Sequence, residues 1–328
     1  MEGFIDTLNG VIWSNALVYL CLGAGAYFTL VTLFLQIRCL PDMIRQLKSG
    51  GSSEQGISSF QSLMISLAGR VGVGNIAGVS TAIAFGGPGA VFWMWLVALL
   101  GSATSFIECC LAQIYKETDR DTGEYRGGPA YYIEKTYKHT AAAPFMLVYA
   151  IIFAVCMLLA TSYFLPGIQA NGVAAAVDNA WGINIWVSAT IMTVLLAFII
   201  IGGVKRIANF ASMVVPFMAG IYIIIAIVVL FANASQIPEV FGTIVRAAFD
   251  KEAAFSGMLG AAIMWGVKRG IYSNEAGQGT GPQSAAAAEV SHPAKQGFVQ
   301  AFAVYIDTLF VCSATAFIII STDMYKVF

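Results

Sequence analysis

Long apolar runs recur from one end of the chain to the other, each close to the ~20 residues an α-helix needs to cross a bilayer. Eight candidate spans stand at about 11–37, 58–85, 89–115, 144–177, 184–202, 208–232, 255–289 and 294–321. The longest of the polar stretches between them is 116–143. Residues 116–143 are turn-rich and charged and predict a short helix over Ala130–Tyr137. Segment 238–250 carries apolar residues at helical spacing but is too short to span, so it is expected to lie in the outer interface.

Composition agrees with this pattern. The 328 residues are 58% hydrophobic and 11% charged, against roughly 25% charged in soluble domains, and the mean hydropathy is +0.77. A formal net charge of −1 offers no basic surface for nucleic acid. Six cysteines lie in or beside apolar runs without C-x-x-C spacing, as buried apolar side chains would. No Lys or Arg precedes the first run, so Val11–Leu35 reads as a true span and not as a removable signal peptide. Basic residues gather after alternate spans: Arg38, Arg45 and Lys48; then Lys116, Arg120, Arg126, Lys135 and Lys138; then Lys205 and Arg206; then Lys295. The positive-inside rule makes these loops cytoplasmic and the N-terminus external, in a multi-pass protein of the cytoplasmic membrane. The chain stops at Phe328, just after the last span, and a truncated protein is the expectation.

The second and seventh spans are interrupted. Ser66–Gly78 places Gly69, Gly72, Gly74 and Gly78 beside Arg70 and Asn75, where the bilayer centre should be. Glycine costs ~1 kcal/mol against alanine in a helix interior, so the cluster favours unwinding. Such backbone survives at that depth only when it is buried in protein or lines a cavity. Residues 266–281 repeat the theme with Gly266, Lys268, Arg269, Gly270, Asn274, Glu275, Gly277, Gly279 and Gly281. Helical structure is therefore expected to fail near Gly69–Asn75 and near Gly266–Ser273. Small residues at this spacing also permit close helix packing. Packing alone leaves the charged and amide groups unexplained, because ionisable groups in spans are costly. Paired early and late breaks point to a transporter of inverted repeats with a midplane site. A break of this kind offers carbonyl oxygens to Na⁺ and free amides to a carboxylate.

At these residues the sequence resembles the alanine or glycine:cation symporter family of the amino acid–polyamine–organocation superfamily. The matching motifs are Gly72-Val73-Gly74-Asn75-Ile76-Ala77-Gly78-Val79, Phe85-Gly86-Gly87-Pro88-Gly89-Ala90, Gly127-Gly128-Pro129-Ala130-Tyr131-Tyr132 and Trp265-Gly266-x-x-Arg269-Gly270-x-x-Ser273-Asn274-Glu275-Ala276-Gly277-x-Gly279. The resemblance implies an all-α polytopic membrane fold of five-plus-five inverted repeats. Residues 11–37 are then an extra N-terminal helix, 58–232 the first repeat and 255–321 an incomplete second repeat, all in one transmembrane domain over 1–328. It further implies symport of alanine or glycine with Na⁺ or H⁺, with no cofactor and no obligate protein partner. Carried over, Gly74, Asn75 and Gly78 face the substrate carboxylate, while carbonyls of Ala68 and Val71 face Na⁺. Asn75 is also a candidate side-chain ligand to that ion. Phe164, Gln169 and Asn171 lie in the fourth span, with Gln169 a candidate acceptor from the substrate ammonium or a helix-to-helix hydrogen bond. Trp265 and Gly266 are expected at the second break, walling a small pocket, although Trp265 also reads as an ordinary packing aromatic.

Glu108 and Asp307 are candidate proton or ion sites, or structural partners of Arg70 or Arg269. Ser66, Thr81, Thr161 and Thr308 are expected to bond backbone carbonyls. A channel would fit the breaks less well than an occluded site does. An intramembrane enzyme would need a nucleophile with its base, or a motif such as H-E-x-x-H, and neither is present.

Overall fold

The computed structural model describes residues 10–47, 56–249 and 258–322, together with Gly3, Thr7 and Tyr325. The chain is a multi-pass membrane protein of packed helices. Helix α1, Asn15–Val31, completes a run from Gly10 and ends where Leu33 and Phe34 adopt φ of 53° and 55°. The first span therefore stops at Val31 and not at 37, and short helices α2, Leu35–Arg38, and α3, Leu40–Leu47, follow. Helix α4, Ser59–Arg70, opens on a reciprocal cap in which Ser58 and Gln61 each accept from the other's backbone N–H. It ends at Val71, whose backbone is extended; a π turn over Gly74–Gly78 and α5, Val79–Gly86, continue at a 53° bend.

Helix α6, Gly89–Tyr115, leads to a small antiparallel hairpin of β1, Glu117–Thr118, and β2, Tyr125–Arg126. The N–H groups of Thr122 and Asp121, with the paired Arg126, hold the Asp119 carboxyl below its ordinary range. Then come α7, Pro129–Tyr137, close to the expected loop helix, and α8, Ala143–Leu159. Pro166 has no N–H to offer the helical ladder, and the backbone ahead of it widens into a π stretch over Ala160–Phe164 before α9, Leu165–Trp181. The remaining helices are α10, Ile185–Ile200; α11, Gly203–Ala232; and α12, Ile237–Ala248, which buries Val240, Ile244 and Ala248 on one face. The seventh segment comprises α13, Met258–Asn274, and α14, Thr280–Ala287. The eighth comprises α15, Pro293–Val304, a π stretch over Tyr305–Cys312, and α16, Ser313–Ser321.

All eight expected segments are helical, but not all are long continuous spans. Among the described residues, length and apolarity admit Gly10–Val31, Gly89–Tyr115, Ala143–Trp181, Gly203–Ala232 and Pro293–Ser321, and a sixth if bent α4–α5 is counted as one. Helix α10 is shorter at 16 residues, and the seventh segment is divided. The expected start of the seventh segment at 255 and the ends of the outer helix at 250 and of the chain at 328 lie outside the described residues.

The expected break at Gly266–Ser273 is corrected. Helix α13 runs unbroken through those residues, and the chain leaves the helix only at 275–279, where Glu275, Gly277 and Gly279 have φ of 54°, 84° and 87°. Gly266 and Gly270 serve contact with α6. A Cβ at 266 would lie 2.4 Å from the Ala90 carbonyl oxygen, and one at 270 would lie 2.3 Å from Val97 Cγ1. Gly25 of α1 meets Leu100 of the same helix in the same way, at 2.8 Å from its Cβ. Small residues thus let α6 sit centrally among its neighbours.

Gly266→Ala is expected to lower the thermal stability of the detergent-solubilised protein by about 1–3 kcal/mol through overpacking. Gly260→Ala, in the same helix but with open space at its Cβ, should be neutral or gain up to ~1 kcal/mol. Equal melting of the two variants would remove the packing role of Gly266.

Candidate functional site

The break in the second span is made by hydrogen bonds that leave the helical ladder. Gly72 N–H donates to Asn75 Oδ1 at 2.7 Å, and Val73 N–H donates to Gln169 Oε1 of α9 at 2.9 Å. In a continuous helix those two N–H groups would serve the carbonyls of Ala68 and Gly69. Two carbonyls are thereby released from their i+4 donors at the end of α4. The Val73 N–H joins the break to α9.

Asn75 is 1% exposed, and its amide nitrogen reaches into a polar cluster. It donates to Asp307 Oδ1 at 2.6 Å and to Ser273 Oγ at 3.1 Å. Asp307 Oδ2 accepts from Ser273 Oγ at 2.9 Å and from Thr308 Oγ1 at 2.7 Å. Cys312 Sγ closes the group, 3.3 Å from Asn75 Nδ2. Asp307 and Thr308 are fully buried. Neither Asp307 nor Glu108 lies within ion-pair distance of Arg70 or Arg269, so the structural pairing considered for them is not formed. The Asp307 carboxylate is held by neutral donors from three segments: the π turn at Gly74–Gly78, α13, and the π stretch at Tyr305–Cys312.

The second break lies beside the first. Glu275 Oε2 accepts from Thr280 Oγ1 at 2.5 Å, and Gly277 N–H donates to Glu108 Oε1 at 3.1 Å. Arg70, buried at the end of α4, donates to the Gln300 carbonyl at 3.3 Å and to Ser105 Oγ at 3.4 Å, while its Nε has no partner. Between the breaks runs a cavity of about 620 Å³. Ser66, Ala68, Arg70, Gly74, Gln169, Tyr272, Glu275 and Thr280 line it, and it extends to Tyr125 and Arg126 of the hairpin and to Val204.

Ala68, Gly74 and Gln169 therefore line one cavity, and Asn75 stands immediately behind it. Val71 is the extended residue at the break, with its side chain in an apolar cluster with Leu67 and Val215. Gly78 is buried one turn further on. Phe164, at 58% exposure, and exposed Asn171 do not line the cavity. Trp265 and Gly266 are also placed away from it. Trp265 stacks on Phe85 at a centroid distance of 4.9 Å, and Gly266 packs on α6. Both fall short of the break because the glycines around them serve packing and the left-handed residues come later. Thr81 and Thr161 bond the carbonyls of Ala77 and Met157 as expected. Ser66 instead pairs with Ser284 Oγ at 2.6 Å, and Thr308 serves Asp307. The roles of Ser273 and Thr308 were missed, since single hydroxyls in apolar runs usually bond their own helix.

The family model described as "Sodium:alanine symporter family" matches residues 1–327. The chain belongs to the sodium:alanine symporter family. Similar relatives within it include "Putative sodium/proton-dependent alanine carrier protein YrbD" of Bacillus subtilis (strain 168), 57% identical over 99% of this chain and 66% of the relative. "Probable sodium/glutamine symporter GlnT" of the same organism is 46% identical over 99% of this chain and 66% of that protein. "Sodium/proton-dependent alanine carrier protein" of Bacillus sp. (strain PS3) is 48% identical over 87% of this chain and 62% of its own length. The chain spans about two thirds of the length of these relatives.

Asp307→Ala is expected to destabilise the fold by about 2–5 kcal/mol, because it leaves the buried donors of Asn75, Ser273 and Thr308 without their acceptor. Asp307→Asn keeps one acceptor oxygen and should cost less. Thermal melting of both variants in detergent checks this; an Asp307→Ala protein that melts with the parent would mean the cluster is not formed.

Proposed function

We propose that the protein is a secondary symporter that imports a small neutral amino acid, alanine or glycine, coupled to Na⁺ by alternating access about the two breaks. The observation that carries this reading is their convergence on one cavity, with a buried carboxylate among neutral donors directly behind it. The substrate carboxylate meets the amide corner at Gly72–Gly74, where it competes with Gln169 Oε1 for Val73 N–H. Gln169 then turns to the substrate ammonium. Na⁺ is taken by the carbonyls of Ala68 and Val71 and the side-chain oxygen of Asn75, an all-oxygen donor set suited to a hard cation. Asp307 supplies the nearby negative charge, which a low-dielectric site makes effective.

The loops support the orientation. The cavity extends toward Tyr125, Arg126 and Val204, on the side that carries Lys116, Lys135, Lys205 and Arg206. The positive-inside rule makes that side cytoplasmic and the N-terminus external, in the cytoplasmic membrane. In this proposal 11–37 is an extra helix, 58–232 the first repeat and 255–321 part of the second. The names of the relatives support the reading: two are named as sodium/proton-dependent alanine carriers, one of them putative, and one as a probable sodium/glutamine symporter.

Counterflow of labelled alanine in proteoliposomes should require Na⁺, and Asn75→Ala should raise the Na⁺ concentration for half-maximal exchange about tenfold or more, since each 1.4 kcal/mol lost from a site lowers affinity tenfold. Linkage makes a weakened ion site weaken alanine binding as well. Exchange that is indifferent to Na⁺ would overturn sodium coupling, and an Asn75→Ala protein with unchanged sodium dependence would remove Asn75 from the site.

A further inference from the structure

At one end the cavity is rimmed by Tyr125, Arg126 and Gly127 of the hairpin, with Ser284 and Ala287 of α14 on the same lining. The last turn of a helix leaves carbonyls without helical donors, and three carbonyls at the end of α14 find donors in other segments. Ala287 O accepts from Ile57 N–H at 3.0 Å, and Glu289 N–H donates to Ile57 O at 2.9 Å. A short parallel bridge thus joins the chain just ahead of α4 to the chain just after α14. Gln113 Nε2, on the last turn of α6, donates to the carbonyls of Ala285 and Ala288. Lys116 Nζ donates to Ala288 O as well, at 2.7 Å.

The half-buried Lys116 also serves the hairpin that it opens. Its ammonium lies 3.8 Å from the centroid of the Tyr125 ring, where the negative face of an aromatic attracts a cation. Tyr125 in turn rests on Gly56: a Cβ there would lie 2.8 Å from Cδ2 of the ring and 2.5 Å from Ala287 O. Gly127 fits α14 as closely, since its own Cβ would lie 2.6 Å from Ala286 Cβ. One ammonium therefore touches both the end of α14 and the ring that covers the approach to α4. On its other side the hairpin is tied to α6 and α7, where Lys135 Nζ pairs with Glu117 Oε1 at 2.8 Å and donates to Tyr115 O at 2.7 Å.

We propose that Lys116 is a positioning residue for transport: it clasps the hairpin to the bridged ends of the two broken spans, so that the hairpin and both half-helices govern cytoplasmic access to the cavity as one unit. This rests on the reading of the cavity as a transport site and of the hairpin side as cytoplasmic. Lysine suits the position because a compact ammonium with three donors on a long stem serves a carbonyl and a ring face together. Methionine keeps the apolar stem and loses both contacts, whereas arginine keeps a cation and its donors.

The test places a cysteine at Leu165, a cavity-lining residue of α9. Its labelling by a membrane-impermeant methanethiosulfonate is followed in inside-out and in right-side-out vesicles, and peptide mass spectrometry separates it from the native cysteines. Lys116→Met should speed labelling from the hairpin side about tenfold, the effect of losing one charge-assisted hydrogen bond. The rate from the opposite side should stay the same or fall, and Lys116→Arg should label like the parent. A rate unmoved in Lys116→Met, or raised equally from both sides as a general loosening of the fold would do, overturns the positioning role alone. Acceleration confined to the opposite side overturns the orientation and the role with it. Sodium-dependent alanine counterflow by the unsubstituted protein tests the transport reading separately, and its absence overturns that reading whatever the labelling shows.

Discussion

Everything at the centre of this molecule depends on one constraint: in a membrane each backbone N–H and C=O must find a partner within the protein. The second span gives up its ladder between Arg70 and Gly74, and two side-chain oxygens take over the stranded N–H groups. One belongs to the break itself, Asn75 Oδ1 on Gly72 N–H; the other comes from a neighbouring helix, Gln169 Oε1 on Val73 N–H. This substitution makes the break an ordered structure. It also leaves carbonyls of the preceding turn without their usual donors, which is what a dehydrated cation would need. The Asn75 amide group is used at both ends, its oxygen on the backbone and its nitrogen on Asp307.

Close packing supports the break from the other side. Helix α6 receives glycines from several neighbours, at Gly25, Gly266, Gly270 and Gly297, and a Cβ at any of these positions would meet an atom within 2.8 Å. Lipid chains are as apolar as leucine, so association of this kind depends on van der Waals fit and not on water exclusion. The scaffold that holds α13 against α6 is therefore intolerant of added volume. That intolerance holds α13 against α6 as far as Gly270, shortly before Glu275 and its left-handed neighbours turn.

The helical class, the order of eight segments and the first break were legible because each rests on a local rule: apolar length, alternating basic loops, and glycines beside charges. The second break was misplaced by about two turns. Glycine carries two messages, freedom to unwind and freedom to pack, and the sequence around Gly266 and Gly270 does not distinguish them. The distinction lies in α6, more than a hundred residues away in the chain, whose Ala90 and Val97 come within contact. The same limit hid the Asp307 cluster. Asn75 was visible as a polar residue in a broken span, but its partners Ser273 and Thr308 resemble any hydroxyl that bonds its own helix. Asn75 and Thr308 stand on two π distortions, at Gly74–Gly78 and Tyr305–Cys312, and such a widening leaves no mark in the periodicity of an apolar run.

The arrangement gives coupling a short physical basis. At the first break Gly74 lines the cavity and its neighbour Asn75 enters the Asp307 cluster; at the end of α13 Tyr272 lines the cavity and its neighbour Ser273 enters the same cluster. Two pairs of consecutive residues thus contribute to both compartments. A group bound at the cluster would fix the backbone of both pairs, and so Gly74 and Tyr272, which line the cavity. The converse holds by linkage, since coupling between two sites is reciprocal. No extended pathway between distant sites is required, because the covalent chain itself joins them one residue apart. Any substitution that lets Asn75 or Ser273 relax from Asp307 must therefore be felt on the cavity side, even when it touches nothing that lines the cavity.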